Sequence, residues 1–260
     1  MQILAISNHK GGVGKTATAQ AIAAVLAQRG YRVLLVDTDP QASLTNACGI
    51  TDAAGRSLAE VLGGATAGSL QLADVILTLT PNLHLVPGDL ALTGAELGLT
   101  SRMGRENVLH RALAKVRDQF DLAVIDCPPA LGLLTIGALN AADAVLVPTQ
   151  PQAADLRGMN LFLETLQSVQ MELNPRLKIL GVLITMYDNR LVHHRDALEV
   201  MRGAAVPVLD VVIGRSVRVA EAAATGEAIT DYAPTNAQAQ AYQKVANVVE
   251  SWLKVSNAPV

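Results

Sequence analysis

An apolar run, Ile3–Ser7, leads into Asn8-His9-Lys10-Gly11-Gly12-Val13-Gly14-Lys15-Thr16, and an alanine-rich helical pattern, Lys15–Arg29, follows. This order of strand, glycine-rich loop and helix constrains the fold more than any other feature of the chain. Backbone N–H groups free of Cβ obstruction can wrap a polyphosphate, and a helix start adds partial positive charge at the same place. In such a loop Lys15 reaches the β- and γ-phosphates, and the Thr16 hydroxyl ligates Mg2+. The usual spacing, GxxxxGK[ST], puts its first glycine where His9 stands, and an extra lysine, Lys10, precedes the glycines.

The rest of the chain repeats this alternation. Val33–Asp37, Leu83–Pro87, Leu122–Asp126, Ala144–Pro148, Ile179–Thr185 and Val208–Ile213 are continuous aliphatic runs. Such runs mark parallel strands covered on both faces. Helical patterns lie between them at Arg105–Gln119, Arg157–Leu173 and Arg190–Gly203. The expected fold is α/β: a doubly wound, mostly parallel sheet with helices on both faces. No linker divides the chain, so residues 1–260 are expected to form a single domain. Thr51–Asn82, rich in glycine and alanine, is expected to add short helices. A final helix is expected over Thr235–Val255, with Val245, Val248, Val249 and Trp252 at helical spacing. Its polar face lacks the lysine and arginine of a membrane anchor, so those residues are assigned to the core.

Composition narrows the function classes. The 260 residues are 50% hydrophobic but 3% aromatic, and 41 are alanine, which gives an aliphatic core and closely packed helices. The net charge of −3 is not that of a strongly basic nucleic-acid binder. Cys48 and Cys127 stand alone, which argues against a disulfide framework or a zinc site and for reduced thiols. No basic leader or cleavage pattern follows Met1, and no apolar stretch reaches the ~18 residues of a membrane span. A cytoplasmic protein is expected.

Acidic residues at the ends of two strands flank the loop in this reading. Asp37 and Asp39 sit one residue apart at the end of a strand, the edge of a parallel sheet where ligands bind. A helix cap is the plainer role for either of them. Asp126, after four apolar residues, has a Walker B arrangement and would hold Mg2+ through water. Cys127 has no neighbouring histidine and reads as a packed residue.

Lys10-Gly11-Gly12-Val13-Gly14-Lys15-Thr16 resembles the deviant Walker A motif of the ParA/MinD ATPase superfamily, and Asp37-Thr38-Asp39-Pro40-Gln41 resembles its D-x-D-P-Q motif. Ile125–Gly132 resembles D-C-P-P-x-L-G. Gly181–Asp188 and Val212–Ala222 resemble late segments of the Soj-type partitioning proteins. The resemblance implies ATP and Mg2+ as cofactors and an ATP-bridged homodimer in which Lys10 touches the partner's nucleotide. A cation supplied in trans would act as an arginine finger does. It further implies that Asp39 positions the attacking water, that Asp37 supports the Mg2+ shell, and that the backbone of Gly11–Ala17 cradles phosphate. Gly214 and Ser216 become base contacts. The chain departs from the family at Ala17, usually threonine, at Gly214, usually proline, and in residues 149–158, where an aromatic pair is missing and Arg157 replaces an acid.

The resemblance is to the short type, which has no operator-reading helix-turn-helix before the first strand. It implies non-specific binding of double-stranded DNA by the ATP dimer, a ParB-like centromere-binding partner, a nucleoid-associated location and no membrane. Residues 176–218 carry seven basic side chains against four acidic ones. Arg195, Arg202 and Arg218 are the expected phosphate contacts. The rival readings are a MinD-like membrane-cycling ATPase and a metabolic P-loop ligase.

Overall fold

The computed structural model describes residues 1–53, 55–63, 70–203 and 206–256, and of residues 153–157 the backbone alone. Arg157 therefore lies outside the described side chains. Among the described residues, eight strands form one sheet in the order β3-β4-β2-β5-β1-β6-β7-β8. They are β1 (Gln2–Ile6), β2 (Val33–Asp37), β3 (Leu77–Thr80), β4 (Leu83–Val86), β5 (Leu122–Asp126), β6 (Ala144–Thr149), β7 (Lys178–Tyr187) and β8 (Val208–Gly214). Every pairing is parallel except β3 with β4. The hairpin strand β3 was not expected. It is an edge strand with alternating exposure, so its Leu77-Thr78-Leu79-Thr80 lacks the continuous apolar run of the buried strands.

The helices are α1 (Lys15–Gln28), α2 (Ser43–Ala47), α3 (Leu58–Gly63), α4 (Leu72–Val75), α5 (Leu92–Leu99) and α6 (Val108–Ala114). They continue with α7 (Leu133–Ala141), α8 (Ala153–Glu172), α9 (Val192–Arg202), α10 (Val217–Ala224), α11 (Ile229–Tyr232) and α12 (Ala237–Ser256). The helix expected over Arg105–Gln119 is shorter than its pattern. Three-residue 3-10 turns occupy Arg105–Asn107 and Arg117–Gln119, and the N–H groups of Lys115 and Val116 bond three residues back.

The sheet separates two aliphatic cores. Along β1, Ile3 and Ala5 face the helices α3 to α9, whereas Leu4 and Ile6 face α1, α2 and α10 to α12. This is the doubly wound arrangement. Tyr242, Val245, Val249 and Leu253 of α12 are all buried in the second core, and Val248 and Trp252 pack against it. The apolar side of α12 is therefore spent on packing. Among the described residues no helix is long and apolar enough to cross a membrane.

Strand order reverses around β1, whose neighbours are β5 on one side and β6 on the other. The carboxyl end of β1 is thus the switch point where such sheets open a crevice. Residues 8–14 start there.

Candidate functional site: a phosphate loop and its acidic wall

Two glycines make the loop possible. Gly12 and Gly14 have φ of 72° and 86°, a region that side chains with a Cβ rarely enter. Gly14 ends the loop and starts α1, and its carbonyl accepts both the N–H (3.0 Å) and the hydroxyl (2.7 Å) of Thr18. Asn8 ties the loop to β6 by donating to Pro148 O at 2.7 Å and Thr149 Oγ1 at 3.2 Å. Thr185 of β7 donates to Val13 O at 2.8 Å, and Gln150 donates to Gly12 O at 3.0 Å. The ends of β6 and β7 therefore hold the loop in place.

Lys15 is buried, and its ammonium donates to Lys10 O at 3.0 Å, so the side chain folds back over the loop it begins. Burial pulls its pKa below the ordinary value, and the Asp126 carboxylate opposes this. The Lys10 ammonium lies 3.4 Å from Gln152 Oε1 of the same chain.

Thr16 and Asp126 meet across the crevice, with the hydroxyl donating to Oδ2 at 2.7 Å. The other carboxylate oxygen, Oδ1, is buried and has no partner among the described residues. Burial, then the charge of Asp37 on the adjacent strand, pushes the Asp126 pKa well above its ordinary value. Among the described residues no group of three or more histidines, cysteines, aspartates or glutamates could hold a metal by itself. One hydroxyl and one carboxylate with an unused oxygen suit Mg2+, which binds through one or two carboxylates and completes its shell with water and substrate phosphate.

The structure gives Asp37 and Asp39 different duties. Asp37 is fully buried, and its oxygens accept from Thr45 N (2.8 Å), Thr45 Oγ1 (2.7 Å) and Asp39 N (3.1 Å). Burial raises its pKa to about 6 against the pull of those bonds. It organises the turn that carries Asp39, and it does not line the cavity. Asp39 does line it, while one of its oxygens accepts from Gln41 N at 3.0 Å. That bond closes a local turn and is not a helix cap, since α2 begins after Ala42 with no side-chain cap.

Sequence reading missed the residues that hold this turn. Thr45 accepts from Gly88 N at 2.9 Å while donating to Asp37. A Cβ on Gly88 would meet Asp37 O at 2.9 Å and Asp39 O at 3.1 Å, so only glycine lets the segment after β4 approach this closely. A glycine directly after the apolar run Leu83–Pro87 was the available signal. Thr45 carried none.

The cavity over the loop has a volume of about 630 Å3. Gly11, Gly12, Gly14, Thr16 and Ala17 line its phosphate end, and Gly214, Arg215 and Ser216 line the opposite wall. Ser216 caps α10, its hydroxyl accepting from Arg218 N at 3.2 Å. The expected base contacts are therefore in one cavity with the expected phosphate contacts.

The basic segment does not form one surface. Arg176 and Lys178 lie at the amino end of β7, the sheet edge opposite the cavity. Arg195 and Arg202 are exposed on one face of α9, roughly two turns apart. Arg218, on α10, pairs with Glu221 at 3.1 Å, and Arg190 pairs with Asp188 at 2.7 Å.

Comparison with known proteins agrees with this geometry. A family profile, AAA_31 (AAA domain), matches residues 1–179. The sporulation initiation inhibitor protein Soj of Bacillus subtilis is 40% identical over 250 residues, covering 95% of this chain and 98% of Soj. The chromosome partitioning protein ParA of Caulobacter vibrioides is 40% identical over 256 residues, covering 96% of this chain and 94% of ParA. A solved structure of a Mycobacterium smegmatis protein described as cobyrinic acid a,c-diamide synthase, with bound ADP and magnesium, superposes with a TM-score of 0.84. It is 38% identical and covers 99% of this chain and 97% of its own.

Proposed function

The chain belongs to the family of the Soj and ParA chromosome-partitioning ATPases, and from that premise we propose that it is a Mg2+-dependent ATPase that segregates DNA. The observation that carries the reading is the Thr16–Asp126 pair beside the phosphate loop, with one Asp126 oxygen buried and unpartnered among the described residues. Residues 1–260 act as one P-loop unit.

The backbone N–H groups of Gly11–Ala17 cradle the phosphates, and Lys15 leaves Lys10 O to reach the β- and γ-phosphates. Thr16 and Asp126 hold Mg2+, which neutralises phosphate charge when bound. Asp39 orients the attacking water, and Asp37 holds Asp39 in place. Gly214 and Ser216 border the base. Lys10 acts across the interface of an ATP-bridged homodimer, on the nucleotide of the other copy.

ATP thereby controls a larger surface. One subunit offers Arg195, Arg202 and Arg218, too few for firm DNA binding. Two subunits closed on ATP present twice that number to phosphate, without reading sequence. A ParB-like partner stimulates hydrolysis, the dimer opens and the DNA is released, giving a cytoplasmic protein that cycles on the nucleoid. The two-state element is the dimer, biased by the γ-phosphate.

The rival, a metabolic P-loop ligase, finds less support, because the partitioning proteins Soj and ParA match 95% and 96% of this chain. The deciding experiment is a salt titration of DNA binding with ATP, with ADP and without nucleotide. Binding confined to ATP and weakened steeply by salt supports the proposal. Equal retention in all three states, or a discrete operator footprint, overturns it.

A further inference from the structure

Two peptide planes of the loop, 12–13 and 13–14, are held by side chains from the ends of β6 and β7. Gly12 O accepts from Gln150 Nε2 at 3.0 Å, and Val13 O accepts from Thr185 Oγ1 at 2.8 Å. Every described peptide bond is trans, so the N–H of each plane points opposite to its carbonyl. The Val13 N–H therefore points away from Gln150, and the Gly14 N–H away from Thr185. Neither N–H has an acceptor among the described residues. Glycine stands at both 12 and 14 and turns more freely than any other residue, so the planes need an outside hold. The Gln150 carboxamide is itself tethered, because the same nitrogen donates to Met186 Sδ at 3.0 Å. Met186 lines the cavity with a φ of 51°, where the pairing of β7 with β8 shifts register. Such irregularities re-aim a side chain beside a site.

We propose that Gln150 and Thr185 are positioning residues for phosphate binding: by holding the two carbonyls they turn the N–H groups of Val13 and Gly14 to the phosphates. This rests on the nucleotide-binding reading above. A donor aimed at an anion makes a charge-assisted hydrogen bond, roughly twice as strong as a neutral one. A plane turned over would aim a carbonyl oxygen at the polyphosphate and replace that attraction with repulsion. The role needs a hydrogen-bond donor at both positions, not merely a side chain of that size.

Competition against a fluorescent nucleotide, with Mg2+, gives Kd for ATP and for ADP in the intact chain, and a thermal scan checks that each variant folds. Gln150→Glu keeps the size but sets a second acceptor against Gly12 O, and it is expected to weaken both nucleotides about tenfold or more. Gln150→Ala loses the donor without adding repulsion and is expected to cost less, about three- to tenfold. Thr185→Val should also cost about tenfold, whereas Thr185→Ser keeps the hydroxyl and should stay within about twofold of the parent. Thr185 is buried, so if Thr185→Val fails to fold, the two half-buried Gln150 variants decide alone. A packing role gives the reverse order, with the shortened Gln150→Ala and Thr185→Ser the more damaging. That order, or parent-like affinity in Gln150→Glu and Thr185→Val, overturns the inference and leaves the nucleotide-binding reading standing. A parent protein that binds neither nucleotide overturns that reading and this inference with it.

Discussion

The Thr16 hydroxyl donates to Asp126 at 2.7 Å, tying the first turn of α1 to the end of β5 and leaving the second Asp126 oxygen buried and unpaired among the described residues. A carboxylate in that position costs the empty protein stability, because burial and the nearby Asp37 charge both disfavour its ionised form. Asp126→Asn removes the charge and keeps the shape. Its nucleotide-free unfolding temperature is expected to match or exceed that of the parent. The parent should gain roughly 5–10 °C from Mg2+-ATP at a hundredfold excess over Kd. The variant should gain almost nothing, and an equal gain in differential scanning fluorimetry would remove Asp126 from the cation site.

Asp39→Ala is expected to bind ATP normally and to slow hydrolysis by about 10²–10⁴-fold, the usual range for losing a group that handles the attacking water's proton. The ATP-loaded dimers should then stay on DNA. Gly88→Ala should reproduce part of the slowing, because its Cβ would meet the backbone that carries Asp37 and Asp39. Phosphate release and DNA retention, measured together, check both. Hydrolysis at the parent rate in Asp39→Ala would end the catalytic assignment.

Reversing charge on α9 tests the DNA surface separately from the ATPase. Arg195→Glu with Arg202→Glu should flatten the plot of log affinity against log salt by roughly 0.9 for each DNA phosphate that is no longer neutralised. Basal ATP hydrolysis should not change. Arg218→Ala should have a smaller effect, since Glu221 already pairs with that guanidinium. A salt slope unaffected by the double change would move the DNA surface elsewhere.

These tests reflect what was legible in the chain before folding. Local chemistry was readable: a glycine loop before a helix, and acids at strand ends, announce themselves by residue type and spacing. The parallel strands were readable too, because burial on both faces leaves continuous aliphatic runs. What stayed hidden depends on contacts distant in sequence. Thr45 and Gly88, 43 residues apart, meet each other at the acidic turn, and Gln238 approaches Gly214 only because α12 packs back over β8. The basic segment shows the opposite error. Its side chains are neighbours in sequence but are divided between two edges of the sheet by the strand β7.

His9 and Gly158 form a contact of this hidden kind. A Cβ at position 158 would run into the His9 imidazole, which also stacks on Phe162 at 6.4 Å. In an exposed helix, alanine for glycine stabilises by about 1 kcal/mol. Here Gly158→Ala is expected to lower the unfolding temperature instead, because the imidazole is packed between the loop and α8. His9→Ala combined with Gly158→Ala should restore the unfolding temperature, with a coupling of roughly 0.5–3 kcal/mol in a double-mutant cycle. Strict additivity of the two changes would show that the contact carries no energy.

A second histidine is expected to make stability depend on pH. Nδ1 of the buried His194 accepts the N–H of Asp188 at 3.0 Å, and His193 packs edge-on against it at 4.7 Å. Burial, then the His193 charge, lowers the His194 pKa from 6.5, against the attraction of Asp188. Arg190 holds the Asp188 carboxyl at about 2, so that group stays ionised throughout the window concerned. The unfolded chain takes up the His194 proton near 6.5, while the folded chain resists it until lower pH. The unfolded state therefore binds more protons between those values, and stability falls as pH drops through them. His194→Asn keeps an acceptor for Asp188 N–H without a titrating group. Thermal unfolding followed from about pH 7.5 down to about pH 5.5 should show a shallower decline for this variant than for the parent, since histidine ionisation spans that range. His193→Gln separates the neighbour's contribution. Parallel curves for the parent and His194→Asn would show that the Asp188–His194 bond does not govern acid sensitivity.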